Sequence, residues 1–107
     1  MNEILTQDEL ERTFTKEAFV DFLKKLDLDG VKVNSATNCF IGKFFKKHWP
    51  TLRIEVGYGT PYFNNCPLKY PDWAKPYLAH LLSKRTYETE TPTSVAAVWT
   101  ESLAFLK

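Results

Sequence analysis

Thr51-Leu52-Arg53-Ile54-Glu55-Val56-Gly57-Tyr58-Gly59-Thr60-Pro61-Tyr62-Phe63, residues 51–63, is the stretch on which the fold turns. Leu52, Ile54, Val56 and Tyr58 fall on one face of an extended chain, and Arg53 and Glu55 on the other. That period of two marks a strand over Thr51 to Tyr58 with one buried face. Gly57 and Gly59 let the chain reverse, so Tyr62-Phe63 is expected to return alongside as a second strand. Pro61 has no amide hydrogen to give to a ladder, which assigns that second strand to a sheet edge or a bulged start.

The flanks of this hairpin read as helices. Phe40, Ile41, Phe44, Phe45 and His48 lie within about 140° on a helical wheel, with Lys43, Lys46 and Lys47 across much of the rest, and Pro50 stops the run. On the far side Asn64 to Tyr70 is loop-like. Pro71-Asp72-Trp73-Ala74-Lys75-Pro76 then opens a helix striped by Tyr77, Leu78, Leu81 and Leu82, with Pro76 in its first turn.

Farther out, the amino-terminal third carries two helix starts in succession. Leu5, Thr6, Glu9 and Leu10 match a capping box with its hydrophobic staple, and Phe14, Thr15 and Phe19 repeat the staple. Phe19, Phe22, Leu23 and Leu26 continue at helical spacing to Asp27-Leu28-Asp29-Gly30, where glycine can end the helix. Val31 and Val33 suit one brief strand, and Asn34-Ser35 offers a further cap. Thr86 to Thr91 fits either a connecting loop or an edge strand. Thr91-Pro92 starts a last helix faced by Val95, Val98, Trp99, Leu103 and Leu106.

These elements predict an α+β fold, a small antiparallel β-hairpin or sheet packed against about four short helices. Phe22, Phe44, Ile54, Val56, Leu78, Leu81 and Trp99 are the expected core. At 107 residues the chain suits a single globular domain, 1–107, which at that size buries roughly 65% of its unfolded surface without staples. The polar, acidic start from Met1 to Leu10 has no secretory pattern, and a cytoplasmic location follows as the expectation. Two cysteines, Cys39 and Cys66, are too few for a disulfide framework and read as packing thiols.

Catalytic and cofactor chemistry finds little purchase. Cys39 and His48, nine residues apart, face nearly opposite ways on a helix of about 100° per residue. Cys66 and His80 could meet only if the loop folded over the helix, and His80 between Ala79 and Leu81 suits a boundary position better. Aligning Gly30 with the glycine of a calcium loop puts Lys25 and Ala36 at ligand positions, and neither can ligate. The cysteines and histidines lack the close pairing of zinc sites, and Gly57-Tyr58-Gly59 lacks the glycine, helix and lysine of a phosphate loop. No cofactor and no metal is expected, and a non-catalytic role leads over an enzyme.

Two asymmetries remain. Residues 1–29 carry four basic and eight acidic side chains, residues 30–85 nine and two, and residues 86–107 one and three. The basic middle is either a solvated face or, through Lys43, Lys46, Lys47 and Arg53 beside Trp49, a nucleic-acid-binding patch. Aromatic residues reach 15%, and Trp49, Tyr58, Tyr62, Phe63, Tyr70 and Trp73 crowd the hairpin and its flanks. Rings beyond those a small core needs gather at interfaces. The leading expectation is therefore a protein-interaction or regulatory module using these six residues on a protein partner or a second copy. Nucleic-acid binding through segment 30–85 is the alternative, and no membrane association is expected.

Overall fold

A computed structural model describes residues 5–29, 31, 39–57, 59–83 and 92–106. Within them the chain is α+β, with five helices and a three-stranded antiparallel sheet. The helices are α1 (Gln7–Thr13), α2 (Lys16–Lys25), α3 (Phe40–His48), α4 (Ala74–Ser83) and α5 (Pro92–Phe105). The strands are β1 (Ile54–Val56), β2 (Pro61–Phe63) and β3 (Cys66–Pro67), in spatial order β1-β2-β3.

Local code sets the first two helices. The Thr6 hydroxyl accepts the Glu9 amide at 3.1 Å and donates to the Glu9 carboxylate at 3.3 Å. It thereby satisfies one of the amides a helix start leaves open. Leu5 and Leu10 are both buried, closing the staple. Thr15 repeats the cap on the Ala18 amide at 3.2 Å, and the Phe14 and Phe19 rings meet edge to face at 5.5 Å. α2 stops at Lys25 because Leu26 turns extended, ahead of the glycine expected to end it. Asp27 then accepts the Asp29 amide at 3.0 Å in a local turn.

α3 is capped by Cys39, whose sulfur accepts the Gly42 amide at 3.3 Å. Val31 is buried and outside any strand. Val33, Asn34-Ser35, Tyr58 and Thr86 to Thr91 lie outside the described residues. Pro76 sits in the first turn of α4, and α5 begins at Pro92, the position where a missing amide hydrogen costs nothing.

The sheet departs from the expected hairpin in three ways. β1 is confined to Ile54–Val56, since Leu52 folds its amide back onto the Trp49 carbonyl at 3.2 Å. β2 lies in the middle of the sheet despite Pro61. The register Ile54↔Phe63, Glu55↔Tyr62 and Val56↔Pro61 turns the backbone of Pro61 toward β3 at the last rung. Only its carbonyl is needed there, and it accepts the Leu68 amide at 3.0 Å. Third, Asn64 to Tyr70 is not all loop. Asn64 and Asn65 take φ of 52° and 65°, the two left-handed positions of a tight hairpin turn, and Phe63 pairs with Cys66 across it. The Asn64 side chain also accepts the Arg53 amide at 2.7 Å, tying the turn to β1. Between β1 and β2, a Cβ on Gly57 would stand 2.6 Å from the Thr60 carbonyl, so no other residue fits that corner.

The core is largely aromatic. Phe14 contacts Phe19, Phe44, Phe45 and Trp73, with ring centroids 4.8–5.5 Å apart. Of the expected core, Phe44, Ile54, Leu78 and Leu81 are buried, and Phe22, Val56 and Trp99 pack against it half-buried. Two indoles peg distant helices together. Trp73 Nε1 donates to the Phe14 carbonyl at 3.2 Å and Trp99 Nε1 to the Leu23 carbonyl at 2.7 Å, each using a carbonyl near a helix end. Tyr77 and Ser102, both fully buried, bond hydroxyl to hydroxyl at 2.8 Å between α4 and α5. Burial pushes the Tyr77 phenol above its ordinary range, only partly offset by that bond and reinforced by nearby Cys39.

Candidate functional site

The hairpin aromatics divide by the alternation of the strands. Phe63 shares the inner face with Ile54 and is 2% exposed, packed on Phe45 at 5.0 Å and Trp49 at 5.7 Å. Tyr70 is 4% exposed, with its hydroxyl donated to the Gly57 carbonyl, so it holds the corner between β1 and β2 from inside. These two rings belong to the core, which corrects their placement on a binding patch. Trp49 and Trp73 are half-buried, the first against Phe45 and Phe63 and the second against Phe14 and Phe19. Tyr62 alone among the described five points outward, 39% exposed.

Tyr62 occupies the middle strand of the sheet's outer face. Across the ladders it faces Glu55 on one side and Pro67 on the other. Its ring edge lies 3.8 Å from where a Cβ on Gly57 would be, so the phenol covers that glycine. Arg53 reaches Glu55 at 3.7 Å on the same face, with both side chains well exposed. An ion pair so hydrated adds little stability and leaves both groups able to turn to a new partner. The face thus offers one ring, one proline and one pair of opposite charges, without net charge.

The α3 lysines gather toward the end of their helix, and Lys47 has a local partner. On the helical wheel Lys46 lies opposite Phe40, Phe44 and Phe45 while Lys43 and Lys47 flank the Phe40 edge, and Lys46 and Lys47 sit with His48 in the final turn. Cations there complement the exposed carbonyls of the helix end. Lys47 Nζ lies 5.6 Å over the Phe22 ring. The His48 ring rests on Phe44 at 4.4 Å. Desolvation against that ring, and then the Lys47 charge, hold the His48 pKa below its ordinary value. Arg53 is engaged with Glu55 on the sheet and stands apart from the helical stripe.

The two thiols and the two histidines sit in different settings. Cys39 is buried, and desolvation raises its pKa against the pull of backbone amides, which keeps it a neutral cap. Cys66 is exposed on β3, contrary to the expected packing role, because β3 overhangs the core at the sheet's edge. His80 stacks on Phe105 at 4.7 Å and on Tyr77 at 6.4 Å, on the α4–α5 side of the molecule. Among the described residues no three His, Cys, Asp or Glu side chains gather as metal ligands. None of the described helices is long and apolar enough to cross a membrane.

One open cleft of about 450 Å³ runs between α2 and the end of α5, floored by Val20 and Leu106 and rimmed by Lys16, Glu17, Asp21 and Lys24. Its rim carries two cations and two anions, a balance suited to a solvated helix face and without the convergent polar groups of a small-molecule site. Comparison with protein-family models, with curated proteins and with solved structures finds no match to this chain.

Proposed function

We propose that this chain is a non-catalytic protein-interaction module with a regulatory role, and that it meets its partner through the outer face of the sheet. The observation that carries the reading is Tyr62, an exposed ring held on the central strand between Glu55 and Pro67. A tyrosine there combines a large apolar body with a hydroxyl, the amphipathic character favoured at contact surfaces. Its backbone is fixed by ladders on both sides, so little order is lost on binding. The uncharged balance of the face suits a protein surface better than a polyanion. The α3 lysines are the weaker alternative for nucleic acid, since the carbonyl end of a helix repels phosphate.

A photo-reactive phenylalanine analogue at position 62, with a second placed at Lys47 in a separate variant, tests this reading in lysate of the source cells. The expected result is a discrete protein adduct from position 62, competed by unlabelled wild type and not by Tyr62→Ser. Salt-sensitive nucleic-acid adducts from position 47, with none at 62, would overturn it in favour of the basic stripe. Absence of adducts at both positions overturns it as well.

A further inference from the structure

We propose that α1 is an exchangeable arm, and that residues 5–14 can leave their own seat and fill the seat of a second copy, forming a domain-swapped dimer.

The arm is held by a few discrete attachments. Leu5, Leu10 and Phe14 are buried. Gln7 grips the Lys69 backbone at both ends of its amide, donating to the carbonyl and accepting the amide hydrogen, each at 2.8 Å. Trp73 donates to the Phe14 carbonyl. α1 does not run closely alongside any other helix or strand. The Gln7 grip and the contacts of the Phe14 ring join the arm to chain beyond the hinge, so a second copy can supply them, whereas the Trp73 bond is given up because a continuous helix turns the Phe14 carbonyl to the Ala18 amide. An exchange that keeps most contacts and rebuilds only a hinge is a low-cost route to a dimer.

The hinge is short, and only its ψ angles depart from helix. Only Phe14 and Thr15 separate α1 from α2, with φ of −89° and −94°. Rotation about ψ, now 70° at Phe14 and 157° at Thr15, is what a continuous helix requires. Between Gln7 and Lys25 the sequence has neither glycine nor proline. The break therefore depends on the Thr15 cap and the seating of Phe14, and not on a residue that forbids helix. Straightened, α1 and α2 become one helix from Gln7 to Lys25, roughly 28 Å long at 1.5 Å per residue, which carries the arm clear of its own body.

Two substitutions at the hinge separate this idea from a purely structural role of the cap. Thr15→Ala and Thr15→Pro both delete the capping hydroxyl and weaken the closed form alike. Alanine favours the continuous helix, whereas proline clashes with the preceding turn and keeps residue 14 out of the helical region, where Phe14 already is in the closed form. Each protein is unfolded in urea, refolded at high and at low concentration, and sized by chromatography with light scattering.

The expected result is a wild-type dimer fraction that grows with refolding concentration. Thr15→Ala should raise the dimerisation constant at least about tenfold, one cap being lost per copy, and Thr15→Pro should remain monomeric. In a dimer mixed from labelled and unlabelled copies, the Gln7 side chain should show an intermolecular NOE to the Lys69 amide. Equal dimer fractions in the two variants, no dimer from any of the three proteins, or a dimer without that NOE would each overturn the proposal. Neither variant touches Tyr62, so the outcome is independent of the sheet-face reading.

Discussion

The α1–α2 pair and the three-stranded sheet reach the same degree of order by different routes. In the helix pair each start is settled within five residues: Thr6 with Glu9, Thr15 with Ala18, and a staple across each cap. In the sheet almost nothing is settled locally. Its strands are two or three residues long. Its register is held from outside by Asn64 on Arg53, by Tyr70 on Gly57 and by the Phe45–Phe63–Trp49 cluster. So small a sheet has little stability of its own and takes its shape from what it packs against. The helix pair should thus survive damage to the sheet, and the sheet should fail as a unit.

The sharpest way to break that comparison is Phe63→Ala. Loss of a fully packed ring should cost about 3–5 kcal/mol, read by urea denaturation. Amide exchange should speed up over β1, β2 and β3 while the Glu9 and Ala18 amides stay protected. Loss of protection at both places would show that the helix pair depends on the sheet after all. A smaller effect is expected at the turn. Asn65→Ala forces an ordinary side chain into the left-handed region and should cost about 1–2 kcal/mol, whereas Asn65→Gly should be close to neutral in the same thermal melts.

On the other side of the comparison, Thr6→Ala should cost about 1 kcal/mol and increase exchange at the Glu9 amide without touching the sheet. The smallest effect concerns pH. The folded pKa of His48 lies below the ordinary 6.5, so the unfolded chain binds the extra proton first. His48's contribution to stability is therefore complete above about 6.5, declines as the pH falls toward the folded pKa, and is flat below it. His48→Gln should remove that slope from melts recorded between pH 7 and pH 5.

Where order is local, the sequence was readable. The two threonine caps, the stop of α3 ahead of Pro50, Pro76 in a first turn and Pro92 at a helix start all follow from side chains acting on neighbouring backbone. The sheet was readable only in outline. Pro61 argued for an edge because a missing donor is harmful inside a sheet; its place at the final rung, where only the carbonyl bonds, depends on a register that strand patterns do not contain. Asn64-Asn65 did carry a signal, since asparagine tolerates left-handed backbone, but the two-residue strand beyond it ends in proline and resembles loop.

The candidate site divides the same way. That a ring at 62 faces out while Phe63 faces in follows from alternation. That Tyr70 turns inward depends on the Gly57 carbonyl waiting thirteen residues earlier. Two cysteines too few for a disulfide framework read as packing, and the hydrogen bond that makes Cys39 a cap appears only once the Gly42 amide is placed.

The two indole pegs have a consequence in time. The caps of α1 and α2 can close as soon as these segments emerge from a ribosome, because nothing in them lies more than three residues away. The Phe14 and Leu23 carbonyls, however, wait for Trp73 and Trp99, separated from them by 59 and 76 residues. Contacts that close loops this long are slow to form and reward the chain only at the end. The nascent chain would therefore carry its first two helix starts unanchored through the first two thirds of its synthesis, gain the anchors of α1 with Lys69 and Trp73, and peg α2 only once α5 supplies Trp99.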